Sequence, residues 1–561
     1  MKYFSLVKKI LTKNEINSMY FVCALMVINS ILEVISIGAI LPLLSIMMGG
    51  ELNNPLISNI EDFFDNKNIS LNINSLLIII LIIYLTKYLF LFYFVNKQAS
   101  FILNLRSYLS TRIFQNTLKK KFEFYDKNPS SSLIRNIKQE VDMFCNGLVS
   151  PLLSLVLSFF TVFFLVVFLL LVNLKATLTI IIFFSIAYYF VSKMYSGLLD
   201  KLGKLRQFHE KSMLKYLLQS LRSIAEVKIF KLQKYYKTKF FFHNNLLANQ
   251  LVSKAIYGAM PKILFEFLII LITFSFIAFF SFNNLSLKDL FAQILIYSVA
   301  VYRLLPSITG IARHEQKIKY ATPAANTIKN FLDDKEYDYV IGLEDKNFSF
   351  KKLIKLENIG FGYGDKLILN KLNLIIQRKE KICIMGKNGS GKSTLIKLIA
   401  GLIEPHNGRI LVDDKDLNNN LESWRNLVGY VGQEVNLIEG SLIENICLGI
   451  EEDKIDQKKL SEVIKKAQLQ NFISKYDKNK NLGEFGNKIS GGEKQKIALA
   501  RSYYRSPEIL LFDEATSAMD EKSENEIINS FKNSLIDKTV IFITHKKNYS
   551  EFFDRVINID E

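Results

Sequence analysis

Long apolar runs alternate with basic, helix-forming segments over the first 310 residues of the chain. Each run is long enough to cross a bilayer, because about 20 apolar residues in a helix span its hydrocarbon core. After residue 313 the pattern becomes charged and polar, and from residue 352 apolar strands alternate with amphipathic helices. The pattern therefore predicts an α-helical, six-span membrane domain followed by a soluble α/β domain. The six predicted spans are residues 16–48, 75–96, 148–172, 175–198, 259–282 and 285–311.

The segments between spans two and three, and between spans four and five, are basic and too long for turns. Their composition predicts that the membrane helices extend well into the cytoplasm. The expected domains are a membrane domain at 1–320, a linker at 321–350 and a soluble domain at 351–561. A short amphipathic helix is one interpretation of residues 54–66, in the first outer loop, and a loop with a chance pattern is the other.

The net charge of +18 is distributed as membrane topology requires. Residues 97–148 hold nine Lys/Arg and four Asp/Glu. Residues 200–258 hold twelve Lys/Arg and three Asp/Glu. Placing these basic segments on the cytoplasmic side, with an even number of spans, puts both termini in the cytoplasm. Membrane lipids are therefore expected as partners, whereas nucleic acid is not.

A glycine-rich turn follows a β-branched strand and precedes an apolar helix in the stretch KICIMGKNGSGKSTLIKLIAGL. This context is typical of a phosphate-binding loop, in which backbone N–H groups and a helix N-terminus surround phosphate oxygens. Lys392 would reach the β- and γ-phosphates of ATP, and the Ser393 hydroxyl would bind Mg²⁺. The predicted ATP-binding residues of this loop are Gly386, Asn388, Gly389, Ser390, Gly391, Lys392, Ser393 and Thr394.

Two acidic residues end the apolar strand in EILLFDEATSAMD. Asp513 is positioned to hold Mg²⁺, and Glu514 to polarise the attacking water as a general base. Strand-end carboxylates are often only solvated. Their place downstream of a phosphate-binding loop favours the catalytic interpretation.

The stretch NKISGGEKQKIALAR, before that strand, resembles the signature of ATP-binding-cassette (ABC) ATPases. Other motifs of the family occur in order around it, with Tyr363 similar to the adenine-stacking tyrosine and Gln433 to the glutamine near Mg²⁺. His545 resembles the switch histidine, and it is predicted to act in catalysis with Glu514. The resemblance assigns further ATP contacts to Ser490, Gly491, Gly492, Glu493 and Asp520.

This resemblance implies an ATP hydrolase coupled to transport, with ATP and Mg²⁺ as cofactors. In the family each ATP lies between the phosphate-binding loop of one cassette and the signature of another. One chain here carries one of each, so a second copy of itself is the expected partner. A heterodimer with a related half remains the alternative. Six spans followed by one cassette is the layout of an exporter-type half transporter.

Few charges interrupt the predicted spans. Lys87, Lys262 and Arg303 are cations in their cytoplasmic halves, and Glu33 and Glu266 are the nearby acids. One interpretation is internal pairing, of Lys262 with Glu266 and of Lys87 or Arg303 with Glu33. Snorkelling to the interface is another. The third is a substrate cavity in which surplus cations bind a phosphate or pyrophosphate group.

Three membrane stretches, ILEVISIGAILPLL, MPKILFE and AVYRLLPS, resemble the bacterial lipid-linked oligosaccharide flippase of protein N-glycosylation. This resemblance implies ATP-driven flipping of a polyprenyl (pyro)phosphate-linked oligosaccharide across the bacterial inner membrane. Lysine stands at positions 87 and 262, where arginine would suit pyrophosphate better. The alternatives are export of peptides, drugs or other lipids, and a non-transporting ATPase that regulates a membrane complex.

Overall fold

A computed structural model gives the structure of the protein. It describes residues 2–39, 73–172, 174–194, 197–282, 287–334, 348–364, 366–475, 477–545 and 551–559. The chain divides into two compact units. The first contains residues 1–118 and 128–335, and the second contains residues 119–127 and 336–561.

Helices build the described part of the first unit. In chain order they are α1 (Lys2–Ile10), α2 (Lys13–Gly38), α3 (Ile73–Leu118), α5 (Ser130–Arg135), α6 (Val141–Phe144), α7 (Ser150–Val172), α8 (Leu174–Met194), α9 (Leu198–Arg222), α10 (Ile224–Ile229), α11 (Gln233–Phe282) and α12 (Leu287–Asp333). One further short helix, α4 (Phe122–Lys127), lies between α3 and α5 in the chain but belongs to the second unit. Two π-helical turns, Asn136–Glu140 and Cys145–Val149, flank α6.

Within the described residues, three helical stretches are long and apolar enough to cross a membrane: Lys13–Gly38, Asn74–Leu118 and Ser130–Leu171. The remaining predicted spans fall mainly on α8, α11 and α12 where the structure describes them. The α3 helix has 46 residues. At about 1.5 Å per residue it is longer than twice a ~30 Å hydrocarbon core, in line with an extension beyond the membrane. The outer-loop segment at residues 54–66 lies outside the described residues.

The last membrane helix continues past the domain boundary expected at residue 320. Helix α12 ends at Asp333, so residues 321–333, assigned to a linker by composition, are helical. Ala321, Ala324, Ala325 and Ile328 are buried on this segment. Small buried side chains allow close helix packing, which explains why a polar-looking sequence stays within the helical unit.

A buried charge network lies where α9 meets the first π-helical turn. The Glu140 side chain is fully buried, and its carboxylate accepts hydrogen bonds from Arg206 Nη2 at 2.9 Å and Gln207 Nε2 at 2.8 Å. Arg206 Nη1 donates to Glu210 at 2.7 Å. Arg135 Nε lies 3.4 Å from Glu140 as well. Two arginines and two carboxylates thus hold three helical segments together at a site largely shielded from water.

The Arg206→Met substitution should destabilise the first unit. It removes the main partner of a buried carboxylate, and breaking a buried pair costs about 3–5 kcal/mol. Thermal unfolding of the purified protein, followed with a thiol-reactive dye that detects the buried Cys145, should begin at lower temperature. Lys211→Met, at an exposed position of the same helix, is the matched control and should change little. Equal unfolding temperatures for the two variants would contradict the role of the network.

The second unit combines two sheets. A four-stranded antiparallel sheet has the order β2-β1-β4-β5, and a five-stranded parallel sheet has the order β6-β7-β8-β3-β9. The strands are β1 (Leu353–Tyr363), β2 (Lys366–Gln377), β3 (Lys381–Met385), β4 (Asn407–Val412), β5 (Lys415–Asp416), β6 (Val428–Val431), β7 (Ile509–Asp513), β8 (Thr539–Ile543) and β9 (Arg555–Asn558).

Helices cover the parallel sheet, as expected for strands buried on both faces. They are α13 (Lys392–Ile399), α14 (Leu421–Leu427), α15 (Leu442–Ile446), α16 (Gln457–Lys466), α17 (Gln470–Lys475), α18 (Gly491–Tyr504) and α19 (Glu521–Ser534). Short 3₁₀ turns lie at Asn418–Asn420, Glu452–Lys454 and Glu484–Gly486. Every residue of β7 and β8 is buried, so the residues that follow these two strands are held on a rigid base.

Candidate functional site

The predicted chemical groups of the second unit follow four neighbouring strands of the parallel sheet. The glycine-rich loop follows β3, Gln433 follows β6, Glu514 follows β7 and His545 follows β8. Parallel strands end at the same edge of a sheet, and ligands of such sheets bind outside these carboxyl ends. The topology therefore brings together groups that lie more than 150 residues apart in the chain.

The glycine-rich loop has a backbone that only glycine adopts easily. Gly389 and Gly391 have φ values of +85° and +97°, and Gly391 is the N-cap residue directly before α13. A Cβ at Gly391 would also lie 2.9 Å from side-chain carbons of Ile368 and Leu369. The loop thus needs glycine here for both conformation and space.

The buried Lys392 side chain folds over this loop. Its Nζ donates to the carbonyl oxygens of Gly386 at 2.8 Å and Lys387 at 2.7 Å. Within the part of the chain that the structure describes, the Ser390 hydroxyl oxygen is buried and has no hydrogen-bond partner. A buried polar group without a partner is costly. Phosphate oxygens fit this cradle, because they would accept from Lys392 and Ser390. Asn388 is exposed at the tip of the loop and Thr394 is buried on α13.

The predicted Mg²⁺ residues lie beside the loop. The Ser393 hydroxyl donates to Asp513 Oδ1 at 2.8 Å. Burial is the largest influence on Asp513 and raises the pKa of its carboxyl, while the Ser393 hydrogen bond opposes this shift. A hydroxyl and a carboxylate oxygen are the ligand types that Mg²⁺ prefers. Bound there, Mg²⁺ would neutralise charge on the phosphates and keep Asp513 ionised.

Glu514 is held from two sides. Its Oε2 accepts from Gln433 Nε2 at 2.8 Å, and its Oε1 lies 2.8 Å from His545 Nε2. The backbone of Glu514 has φ +51°, a left-handed conformation that costs a non-glycine residue energy. Strained residues of this kind cluster at active sites. Gln433, predicted as a Mg²⁺ residue, thus directs its amide nitrogen to the predicted base.

The signature begins helix α18 with a complete capping box. The Ser490 hydroxyl oxygen accepts from the Glu493 backbone at 3.3 Å, and Glu493 Oε2 accepts from the Ser490 backbone at 2.7 Å. Glu493 therefore completes the cap as the fourth residue of the box. The N–H groups of Gly491 and Gly492 are at a helix N-terminus, where anions bind readily.

One residue that links the signature to the loop after β7 was not predicted. Gln495 is buried, its Oε1 accepts from the Ala518 backbone at 3.2 Å, and its Nε2 donates to Ser517 at 3.5 Å. The available signal was a polar side chain sharing a helix face with the buried Ala498 and Leu499. Asp520, predicted to contact ATP, caps α19 by accepting from the Ser523 backbone at 2.9 Å.

Tyr363 ends β1, and the residue is 44% exposed. Phe361 packs against it edge-on at a centroid distance of 5.1 Å. An exposed ring braced by a buried one can stack on a planar base without moving. This geometry is compatible with the adenine contact that the resemblance assigns to Tyr363.

The predicted cavity charges lie in the first unit. Lys87 is buried on α3, and its Nζ lies 3.0 Å from Ser36 Oγ and 4.0 Å from Glu33 Oε1 on α2. Lys262 and Glu266, one turn apart on α11, approach to 3.7 Å. Both pairs match the internal pairing foreseen as an alternative. Arg303 lies within α12, but its side chain is outside the described part of the structure.

Comparisons with known proteins agree with this geometry. Family models described as "ABC transporter transmembrane region" and "ABC transporter" match residues 26–304 and 369–517, together more than half of the chain. The structure of a bacterial Atm1-family ABC exporter with ATP bound superposes with a TM-score of 0.79 at 19% identity, covering 98% of this chain and 93% of that one. The chain belongs to the ABC transporters, with an exporter-type helical domain followed by an ABC ATPase domain.

Two relatives indicate the range of cargo in the family. An ATP-dependent lipid A-core flippase of Cupriavidus pinatubonensis is 26% identical over 80% of this chain and 77% of its own length. A lactococcin-G-processing and transport ATP-binding protein of Lactococcus lactis is 35% identical over 46% of this chain and 36% of its own length. ATP-driven export is common to both, and the ATPase domain implies ATP hydrolysis coupled to transport.

The Gly391→Ala substitution should weaken ATP binding by about tenfold or more. The added methyl group meets Ile368 and Leu369, and the loop must leave its positive φ. The Gly449→Ala variant is the matched control, because Gly449 has φ +81° with open space around it. Equilibrium binding of a fluorescent ATP analogue to both purified variants measures the effect. Unchanged affinity in Gly391→Ala would contradict the assigned cradle.

Proposed function

We propose that this ABC exporter uses ATP to flip a lipid-linked, anionic saccharide outward across the bacterial inner membrane. The observation that carries the proposal is the flippase relative, whose alignment spans 80% of the chain and therefore includes much of the membrane domain. A match that extensive cannot come from the ATPase domain alone. The polyprenyl (pyro)phosphate form of the lipid stays a prediction from the resemblance of the three membrane stretches.

An apolar cleft in the first unit supports a lipid cargo. The cleft has a volume of about 350 Å³ between α7, α8 and α12, and its lining includes Val166, Phe184 and Leu304. Its polar end carries Tyr188, whose hydroxyl donates to Glu315 at 2.7 Å. A segment of hydrocarbon chain would replace water there favourably. Arg303 precedes Leu304 on α12, so a charge and an apolar surface come from adjacent positions of one helix.

The ion pairs of Lys87 and Lys262 reduce the positive charge that these lysines can offer to an anionic substrate group. Glu33 lies beside Lys87, and Glu266 lies beside Lys262, so the two lysines contribute less surplus charge than their number suggests. Arg303 is then the main candidate for the phosphate end of the substrate. Its planar guanidinium can bind a phosphate through two parallel hydrogen bonds.

Export of a peptide is the second candidate, favoured by the lactococcin-G-processing relative. It predicts transport or ATPase stimulation by peptides, with no response to lipid-linked saccharides. If the protein is a regulatory ATPase without cargo, neither peptides nor lipid-linked saccharides should change its rate of ATP hydrolysis. Measurements of transport and ATP hydrolysis in proteoliposomes that contain the purified protein distinguish these three functions.

The Arg303→Gln substitution should reduce flipping of a polyprenyl pyrophosphate-linked glycan by about tenfold or more, because a hydrogen bond to a charged group contributes about 1.5–3 kcal/mol. Basal ATP hydrolysis should persist. Arg303→Lys should keep part of the activity, since it retains the charge but not the bidentate geometry. Arg313→Gln, at an exposed position of the same helix, is the control. Flipping by Arg303→Gln at the control rate would exclude Arg303 from substrate recognition.

We further propose that two copies of this chain form the working transporter, with both ATPase domains in the cytoplasm. Half transporters of this family typically function as dimers. The capped N-terminus of α18 offers N–H groups that can donate to the γ-phosphate of an ATP held by the phosphate-binding loop of a second copy. The basic segments between the spans support the cytoplasmic placement.

A further inference from the structure

A second cleft in the first unit has no part in ATP chemistry or in the proposed substrate path. Its volume is about 580 Å³, and three helices line it: α1, the start of α9 and the late part of α12. Its ionisable lining residues other than Tyr3 are Lys9, Lys204, Lys319, Lys329 and Asp200. Four ammonium groups and one carboxylate therefore surround one cleft.

Three of the four lysines of this cleft have a carboxylate within 4.0 Å, so the four ammonium groups outnumber these carboxylates by one. Asp200 lies 2.9 Å from Lys204 across one turn of α9. Lys319 pairs with Glu315 at 2.8 Å, but Glu315 is not part of the lining. The Asp200–Lys204 pair is exposed, and pairs of this type contribute little to stability, so an entering anion can compete for the Lys204 ammonium group.

Two of these ammonium groups are partly withdrawn from water. The side chains of Lys319 and Lys329 are only 22% and 32% exposed. Asp333 forms an ion pair with Lys329 at 3.7 Å, as Glu266 does with Lys262, and this distance is too long for a direct hydrogen bond. Partly buried charges interact more strongly with a ligand than fully solvated ones. The cleft is thus a better anion site than an equal number of lysines on an open surface.

The helices that form the cleft adjoin membrane helices in the chain or, like α12, include a predicted span. Helix α1 buries Val7 and Ile10 and exposes Lys8 and Lys9, and it precedes the span in α2 by two residues. Helix α9 begins shortly after the end of α8. Amphipathic helices of this kind lie at the membrane interface, and basic pockets on the cytoplasmic side bind acidic head groups.

We propose that this cleft binds the phosphate group of an anionic phospholipid from the cytoplasmic leaflet. The lysines hold the phosphate as point charges, and Tyr3 and Leu6, which also line the cleft, face the less polar part of the head group. The bound lipid joins α1 to α9 and α12. The inference depends on the cytoplasmic orientation of the basic segments and is independent of the identity of the transported molecule.

The test is lipid binding by the purified full-length protein in detergent, measured by native mass spectrometry during titration with cardiolipin or phosphatidylcholine. Wild-type protein should bind cardiolipin preferentially. The triple variant Lys9→Gln, Lys319→Gln, Lys329→Gln should bind cardiolipin at least about tenfold more weakly, since each lysine near an anionic surface contributes about a fivefold factor in affinity. The triple Lys→Arg variant at the same positions should retain the preference and shows that the fold tolerates substitution.

A matched control removes the same charge elsewhere. Lys228, Lys234 and Lys237 are exposed on α10 and α11, and their replacement by glutamine should leave cardiolipin binding unchanged. Equal loss in both glutamine triples would overturn the site, because it would show a general charge effect. A parallel titration with inorganic phosphate distinguishes a lipid head group from free phosphate as the ligand of the cleft. Thermal stabilisation by phosphate that the cleft triple abolishes, without any change in cardiolipin binding, would also overturn the lipid assignment.

Discussion

Replacement of Glu514 by glutamine should lower ATP hydrolysis by about 10²–10⁴-fold, the usual contribution of a general base. The amide keeps the size of the side chain and can still bond to Gln433 or His545, but it cannot accept a proton from water. ATP binding should persist, since Lys392, Ser390 and the glycine-rich backbone are unchanged. Phosphate release and nucleotide binding, measured on the same purified sample, test both halves of the expectation.

His545→Ala provides a comparison with a different expectation. His545 Nε2 lies 2.8 Å from one oxygen of Glu514, so its loss should misorient the base and slow hydrolysis without removing the base itself. A Glu514→Gln enzyme that hydrolyses ATP at the wild-type rate would show that the base is another residue, whatever the effect at His545.

Mixed dimers should recover activity that neither parent shows. Lys392→Ala removes the phosphate-binding lysine, and Ser490→Asp places a negative charge where the signature would meet the γ-phosphate. Aspartate can still accept from the Glu493 backbone as a helix cap, although it loses the hydrogen bond that the Ser490 hydroxyl donates to the Glu493 carboxylate at 2.9 Å. Each variant alone should be inactive. Co-expressed, about half of the dimers are mixed and each contains one intact site, which predicts up to about a quarter of wild-type ATPase activity.

The Ser490→Asn variant is the control for the mixed dimer, because it keeps the cap and adds no charge. It should remain active by itself. Absence of any recovery in the mixture, with mixed dimers demonstrated by two affinity tags, would contradict a composite site shared by two copies.

The architecture could be predicted from the sequence because its determinants are local and repeated. Apolar runs of membrane length indicated the helical domain, and the glycine-rich loop between a strand and a helix indicated nucleotide binding. The family resemblance of the motifs around Ser490 then specified the type of ATPase. The expected fold, a helical exporter-type domain followed by an ABC ATPase domain, is confirmed by the family models and by the structural match.

Other features depended on contacts between distant residues. The sequence left open whether Glu33 pairs with Lys87 or with Arg303, and the structure places Glu33 beside Lys87 across two helices. Gln495 could not be recognised as a link to Ala518 without the packing of α18 against the loop after β7. The backbone strain at Glu514 is likewise a tertiary effect, since the surrounding strands impose a conformation that glutamate does not favour.

The expected boundary at residue 320 illustrates the limits of composition. Residues 321–333 are polar enough to suggest a linker, yet α12 continues through them to Asp333. Buried alanines, together with Ile328 and Phe331, carry the packing of this segment. A hydropathy pattern has little power to detect such contacts.

ATP-dependent flipping in proteoliposomes tests the central claim most directly. Purified protein would be reconstituted with a fluorescent polyprenyl pyrophosphate-linked glycan, a labelled phospholipid or a labelled peptide, with Glu514→Gln as the hydrolysis-deficient control. We expect ATP to move the glycan lipid across the bilayer in wild-type vesicles only, with little movement of the phospholipid or the peptide. Equal movement of the glycan lipid in both preparations, or ATP-driven movement of the peptide alone, would contradict the proposed function.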